Sequence, residues 1–325
     1  MSFPSDGNPA ASDRNPAEST LLPPLSNEAE RAFRPSRQIL VPVALLALTL
    51  LTTTIAGADM MYLFRRDLAF TLDFERYGLL LRNPGMLAEG FIFSIPLLLI
   101  LFAHEMGHFL ACEYYQVDAT YPYFIPFPTP IGTMGAFIRI RAPIYTRKAL
   151  FDIAIAGPIA GFLVLLPVLI VGVTLSKVHT NLANDSDLVF GNPELIRILT
   201  SFLFPGINNE DIYLHPCARA AWVGLLATAL NLLPIGQLDG GHLVYAFTGE
   251  FSKFLYRFAW LGILGLAVFA SWNTWLVWAV ILLFLGMRHP VIYDSKPLGT
   301  TRILLAFVAL AIFLLSFSAV PVKFH

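Results

Sequence analysis

The chain has 325 residues, of which 56% belong to the AVILMFWYC set and 13% are charged, about half the charged share of a soluble globular protein. That composition excludes a disordered chain and argues against an ordinary water-soluble enzyme. With 21 Lys and Arg against 22 Asp and Glu, no net field exists to recruit nucleic acid or a strongly acidic substrate. The two cysteines, Cys112 and Cys217, lie among apolar residues, so a disulfide framework is excluded as the organising principle.

Residues 1–37 are rich in Pro, Ser and Asn with mixed charge, the composition of a disordered tail. They lack the apolar stretch of a signal peptide, and Asp6, Asp13, Glu18, Glu28 and Glu30 argue against an organellar transit peptide. A bacterial inner membrane is therefore the expected location.

A bilayer core of about 30 Å takes roughly 20 apolar residues to cross. Runs near that length without Asp, Glu, Lys or Arg occupy 38–58, 153–176, 220–238 and 303–322. A fifth run, 90–104, continues as helix-compatible sequence to Cys112 through Glu105. The sixth, 258–287, is too long for one crossing without heavy tilt and reads as two helices turning near 271–274. The expected fold is an all-α polytopic membrane protein of seven transmembrane helices, with six as the alternative count.

Cytoplasmic loops carry the excess of Lys and Arg. Segment 113–148 holds Arg139, Arg141, Arg147 and Lys148, whereas 177–216 holds two basic and five acidic residues; the first is expected inside and the second outside. One loop disagrees: 64–82 falls outside yet contains Arg65, Arg66, Arg76 and Arg82.

Ionisable groups at bilayer depth are costly and hence functional candidates. His104-Glu105-Met106-Gly107-His108 is an H-E-x-x-H on the run from Gly90. Its histidines are four residues apart, just over one helical turn, so both imidazoles share a face and suit one zinc ion. Glu105 adjoins that face, placed to accept a proton from zinc-bound water, and Gly107 leaves room for a neighbouring helix. A third ligand is needed. The extended H-E-x-x-H-x-x-G-x-x-H motif fails at Ala111 and Tyr114, and the next glutamate after Glu113 is Glu194, in the outside loop. The best remaining donor is Asp239, on helix broken by Pro234, Gly236, Gly240 and Gly241; irregular backbone at this depth is tolerated where it lines a cavity. Asp152, which opens the next span, is the rival. His104 lies about 20 Å down a helix entering from outside, and Asp239 is similarly deep in a second such helix.

These residues resemble the site-2 protease family of intramembrane zinc metalloproteases. The resemblance rests on His104-Glu105-Met106-Gly107-His108, on Asn231-x-x-Pro234-x-x-x-Leu238-Asp239-Gly240-Gly241, and on Gly157-Pro158-Ile159-Ala160-Gly161 between them. It implies one zinc per chain held by His104, His108 and Asp239, Glu105 as general base, and cleavage of transmembrane segments of other proteins in the bilayer. Where the family often has Pro after the Asn, this chain has Leu232. No stretch of about 90 soluble residues is present to hold the PDZ domain that many members carry. The implied organisation is a first span and extracytoplasmic loop over 38–88, a catalytic core over 89–248, and C-terminal spans over 249–325, with the active site toward the cytoplasmic side.

Asn231 has two readings, a donor to substrate backbone or oxyanion and a helix-to-helix hydrogen bond; the resemblance favours the first. His242 reads as an interface histidine with an outer role at the metal as the alternative, Cys112 as packing, Asp152 as a helix N-terminal carboxylate, and Gly157 with Gly161 as a helix-packing patch apart from the chemistry. Residues 133–141 alternate like a strand, within the membrane-associated β-loop that the resemblance implies at 113–148. Its edge could pair with an unwound substrate, or the hairpin could only plug the membrane surface. Two functions compete with the protease: a secondary transporter using broken helices, and an inactive scaffold of the same family.

Overall fold

The computed structural model describes residues 35–71, 73–180, 188–269, 273–284, 292, 294 and 296–324. The expected tail falls almost wholly outside these residues. The first helix among the described residues, α1 (Pro35–Arg65), runs past the expected end at 58 and through Asp59. Asp59 is 2% exposed and is ion-paired with Arg76 of α2 (Phe74–Arg82), while Arg76 Nη2 also donates to the Thr71 carbonyl at 2.5 Å. A paired and hydrogen-bonded carboxylate is far cheaper to bury than a lone one. The arginines that disturbed the charge pattern are largely used locally: beyond Arg76, Arg65 pairs with Glu89 at 2.8 Å and Arg66 covers the Tyr62 ring at 3.8 Å.

A short helix, α3 (Pro84–Ala88), leads into α4 (Phe91–Tyr114), which carries the two histidines and Glu105. It packs against α5 (Arg147–Thr174) and α7 (Pro216–Asn231). Leu97, Leu165 and Trp222 lie in the apolar core that these helices share. Between α4 and α5 the chain forms a hairpin of β1 (Tyr123–Pro126) and β2 (Thr133–Phe137), with Phe124 opposite Ala136. The strand expected over 133–141 ends at Phe137, and beyond it only Ile140 bridges, to Ala119. At Arg139 the N–H goes instead to the Thr120 hydroxyl at 3.0 Å.

Segment 177–216 is more structured than a loop. It contains β3 (Lys177–Val178), β4 (Leu188–Phe190), α6 (Glu194–Leu203) and β5 (Ile212–Tyr213), with β3 pairing antiparallel to β5. After α7 come α8 (Asp239–Thr248), α9 (Ser252–Phe269), α10 (Asn273–Phe284) and α11 (Thr300–Ser316). The long apolar run is thus two helices, as expected, with residues 270–272 between them outside the described set. The helix expected over 303–322 stops at Ser316, because the chain then becomes β6 (Val322–Phe324) and pairs with β4.

These pairings order the helix ends. Lys177 Nζ donates to the Phe64 carbonyl at 2.5 Å and the Tyr213 hydroxyl to the Leu68 carbonyl at 3.0 Å. The ends of α1 and α5 and the start of α7 therefore share one side. The β4–β6 pairing brings the end of α11 to that side too. At the other end, Arg302 of α11 pairs with Asp152 of α5 at 2.5 Å; α11 runs parallel to α5.

Among the described residues, four stretches are long and apolar enough to cross a membrane: Ile39–Arg65, Pro84–Tyr114, Arg147–Thr174 and Asp239–Phe269. Length alone does not reach seven, since α7 has 16 residues, α10 has 12 described and α11 has 17. Large apolar side chains face outward along the helices, among them Leu40 at 66%, Leu163 at 63% and Phe307 at 65% exposure, a surface suited to lipid rather than to water.

Candidate metal centre

His104, Glu105 and His108 are each buried, 6–7% exposed, on one stretch of α4. His108 Nδ1 lies 2.7 Å from the Ile153 carbonyl of α5. A carbonyl only accepts, so Nδ1 carries the proton and Nε2 keeps a lone pair for the interior. The third group arrives by a break in the chain. α7 ends at Asn231, and 232–238 turn through Pro234 and Gly236, whose φ of +53° falls in the region glycine favours. Asp239 then opens α8, where a helix N-terminus favours a carboxylate. Gly240 and Gly241 lie where side chains would strike the carbonyls of Leu232 and Gly236, so the first turn of α8 can fold back against the preceding turn.

Asp239 Oδ2 lies 3.3 Å from His104 Nε2 and 3.3 Å from His108 Nε2, and the two nitrogens are 3.2 Å apart. Donors on a tetrahedron of 2.0–2.1 Å zinc bonds stand about 3.3–3.4 Å from one another, so the triangle fits that ion. A second observation agrees: Asp239 Oδ2 is buried and, close as both imidazoles are, accepts no well-aligned hydrogen bond. Two nitrogens and a carboxylate oxygen also form a donor set that suits zinc. Among the described residues, these three form the group of His, Cys, Asp and Glu side chains that can share an ion.

Gly157 and Gly161, expected to serve packing alone, do more. A Cβ at Gly157 would collide with the His108 ring, and one at Gly161 would come within 3.0 Å of His104 Cβ. Two glycines four residues apart on α5 therefore make room for two histidines four apart on antiparallel α4. Gly107 lies between, where a Cβ would strike the Ala156 carbonyl. Gly157→Ala is expected to displace His108 and weaken zinc binding by about 10–100-fold, the range typical of disturbing a ligand's support. Chelator competition measures this, and unchanged affinity would contradict the clearance role.

Glu105 faces a cavity of about 1090 Å³ whose walls include Ala136 to Ile140, Ile144, Leu150 and Asp239. The Ile138 backbone lies close to its carboxyl, which brings the hairpin's continuation to the centre. Asn231 Nδ2 is 3.2 Å from His104 Nε2, a contact between α7 and α4 that also places its carboxamide at the donor cluster.

The remaining candidates separate cleanly. Asp152 is not aimed at the cluster: Arg302 grips it twice, Nε to Oδ1 at 2.9 Å and Nη2 to Oδ2 at 2.5 Å, and the Tyr115 hydroxyl donates to it as well. Its role is thus an ion pair with α11 and not the helix N-terminal role expected for it. Cys112 is buried with Val117 and Ile153, as packing requires. His242 lines the cavity but lies outside the converging trio. Sequence reasoning missed the Ile153 carbonyl, the Ile138 backbone and the ring clearance; only the last left a signal, the matched four-residue spacings.

Residues 92–263 match the family described as peptidase family M50. The chain is 32% identical over 228 residues to "Probable zinc metalloprotease EGY1, chloroplastic" of Oryza sativa subsp. japonica, covering 67% of this chain and 38% of that one. To the protein of the same description from Arabidopsis thaliana it is 31% identical over 231 residues, 69% and 41% of the two chains. To "Probable zinc metalloprotease EGY2, chloroplastic" of Arabidopsis thaliana it is 30% identical over 216 residues, 64% and 37%. The chain spans about two fifths of the length of these relatives. Their chloroplastic designation gives no support to a bacterial inner membrane. No solved structure matches the chain.

Proposed function

The chain belongs to peptidase family M50, and from that premise we propose that it is an integral-membrane zinc endopeptidase cutting peptide bonds within or near transmembrane segments of other membrane proteins, as in regulated intramembrane proteolysis. The observation that carries this reading is the convergence of His104, His108 and Asp239 on one point, beside Glu105 in the same cavity. His104, His108 and Asp239 hold one zinc ion. A bound zinc supplies Lewis-acid activation of water and of the scissile carbonyl.

The chain's own residues do the rest. Glu105 takes the proton of the attacking water and delivers it to the leaving amine. Asn231, whose Nδ2 donors lie at the cluster, steadies the substrate carbonyl as negative charge develops. A transmembrane helix hides its peptide bonds in its own ladder, so a substrate must unwind before it can react. The stretch from Ala136 to Ile140 lines the cavity and offers backbone groups to an extended segment.

Seven spans are formed by α1, α4, α5, α7, α9, α10 and α11. Parity supports this count over six: with α11 parallel to α5, an even number of crossings separates α7 from α11, and α9 with α10 supplies two. The basic residues of 113–148 lie at the end of α4 nearer the donors, which supports a site toward the cytoplasmic side.

In detergent, the purified chain is expected to cut a model transmembrane substrate inside its apolar segment, to stop when a chelator strips the metal, and to resume on adding zinc. Cleavage that persists without metal contradicts the reading, as does an intact substrate accompanied by solute accumulation in vesicles, which would favour a transporter.

A further inference from the structure

We propose that Arg302, on the last helix, is a positioning residue for the metal centre: through Asp152 it holds the turn of α5 whose Ile153 carbonyl orients the His108 imidazole. The inference rests on the metal-centre reading above and adds a residue beyond the family match, which ends at 263.

The chain of contacts is short. His108 needs the Ile153 carbonyl, 2.7 Å from Nδ1, to present its Nε2 lone pair. Asp152 is the adjacent residue, and its two oxygens are taken by the fork of Arg302 at 2.9 and 2.5 Å. Tyr115, just past the end of α4, donates its hydroxyl to the same carboxylate and receives Arg302 Nη2 at 3.5 Å. One carboxylate therefore joins the end of α4, the start of α5 and the start of α11.

The start of α5 requires such a hold. Pro158 lies inside α5 and has no N–H to give the Ala154 carbonyl, so the turn over 154–158, which follows directly on Asp152 and Ile153, lacks a rung of its own ladder. Gly157, which must be small to admit the His108 ring, loosens the same turn further. Asp152 and Arg302 are only about a quarter exposed, at 25% and 22%, and a two-bonded Arg–carboxylate pair at that depth fixes geometry as well as charge. Loss of the guanidinium leaves a half-buried carboxylate to seek water, and the Ile153 carbonyl moves with it.

The test uses the full chain in detergent, with zinc affinity measured by chelator competition and the visible bands of the cobalt-substituted protein as the report on ligand geometry. Arg302→Gln is expected to weaken zinc binding by about 10–100-fold and to shift the cobalt bands. The reversed pair Asp152→Arg with Arg302→Asp is expected to recover most of the affinity. Wild-type affinity and bands in Arg302→Gln would overturn the proposal, and so would a reversed pair no better than the single variant. Should Arg302→Gln fail to fold, Tyr115→Phe removes one hydrogen bond from the same carboxylate; a smaller shift of the same bands supports the proposal and no shift overturns it. If the wild type itself binds no zinc, the metal-centre reading falls; zinc bound normally by both wild type and Arg302→Gln removes the positioning role alone.

Discussion

Glu105→Gln is expected to keep zinc and lose turnover, with kcat falling by about 10²–10⁴-fold, the span that general acid–base catalysis contributes. The side chain is close to isosteric, and Glu105 is not one of the three converging donors, so the metal triangle and the His108 hydrogen bond to Ile153 stay in place. What is lost is the capacity to take a proton. Substrate binding should therefore change little, and KM separates this outcome from a collapsed cavity. A variant with full activity would remove Glu105 from the proton transfer.

Asp239→Ala has the opposite signature: the metal itself goes. The triangle with edges of 3.2 to 3.3 Å loses a corner, and two imidazoles alone do not make the three-ligand site that catalytic zinc requires. Affinity should fall by more than the roughly 10–100-fold typical of an outer partner, with activity falling below detection. The size of the loss also separates Asp239 from Asp152. If Asp152 were the ligand, its substitution would abolish zinc binding while Asp239→Ala spared it. Two bonds from Arg302 already occupy the Asp152 carboxylate, so substitution there is expected only to weaken binding.

The site was readable in the sequence to the extent that local periodicity determines it. His104 and His108 are one helical turn apart, and Pro234 with Gly236 ends α7 before Asp239; both follow from short-range rules. The meeting of Asp239 with the histidines followed from counting helix directions, a global inference that needed only the charge of two loops. What stayed hidden depends on partners distant in sequence. Asp59 did not stop α1 because Arg76 neutralises it across a loop. The chain's last residues read as helix because Phe317 to Val322 are apolar enough for one, yet they leave α11 to join β4. Gly157 and Gly161 looked like a packing patch, and no local rule says that the surfaces they admit are imidazoles. The Arg302–Asp152 pair spans 150 residues, and nothing in either segment alone announces it.

Zinc content and cleavage of a model transmembrane substrate, measured side by side in detergent on the wild type, Glu105→Gln and Asp239→Ala, test the central claim most directly. The expected result is one zinc per chain with cleavage in the wild type, zinc without cleavage in Glu105→Gln, and neither in Asp239→Ala. Full zinc in Asp239→Ala, or a wild-type chain that binds none, would contradict it.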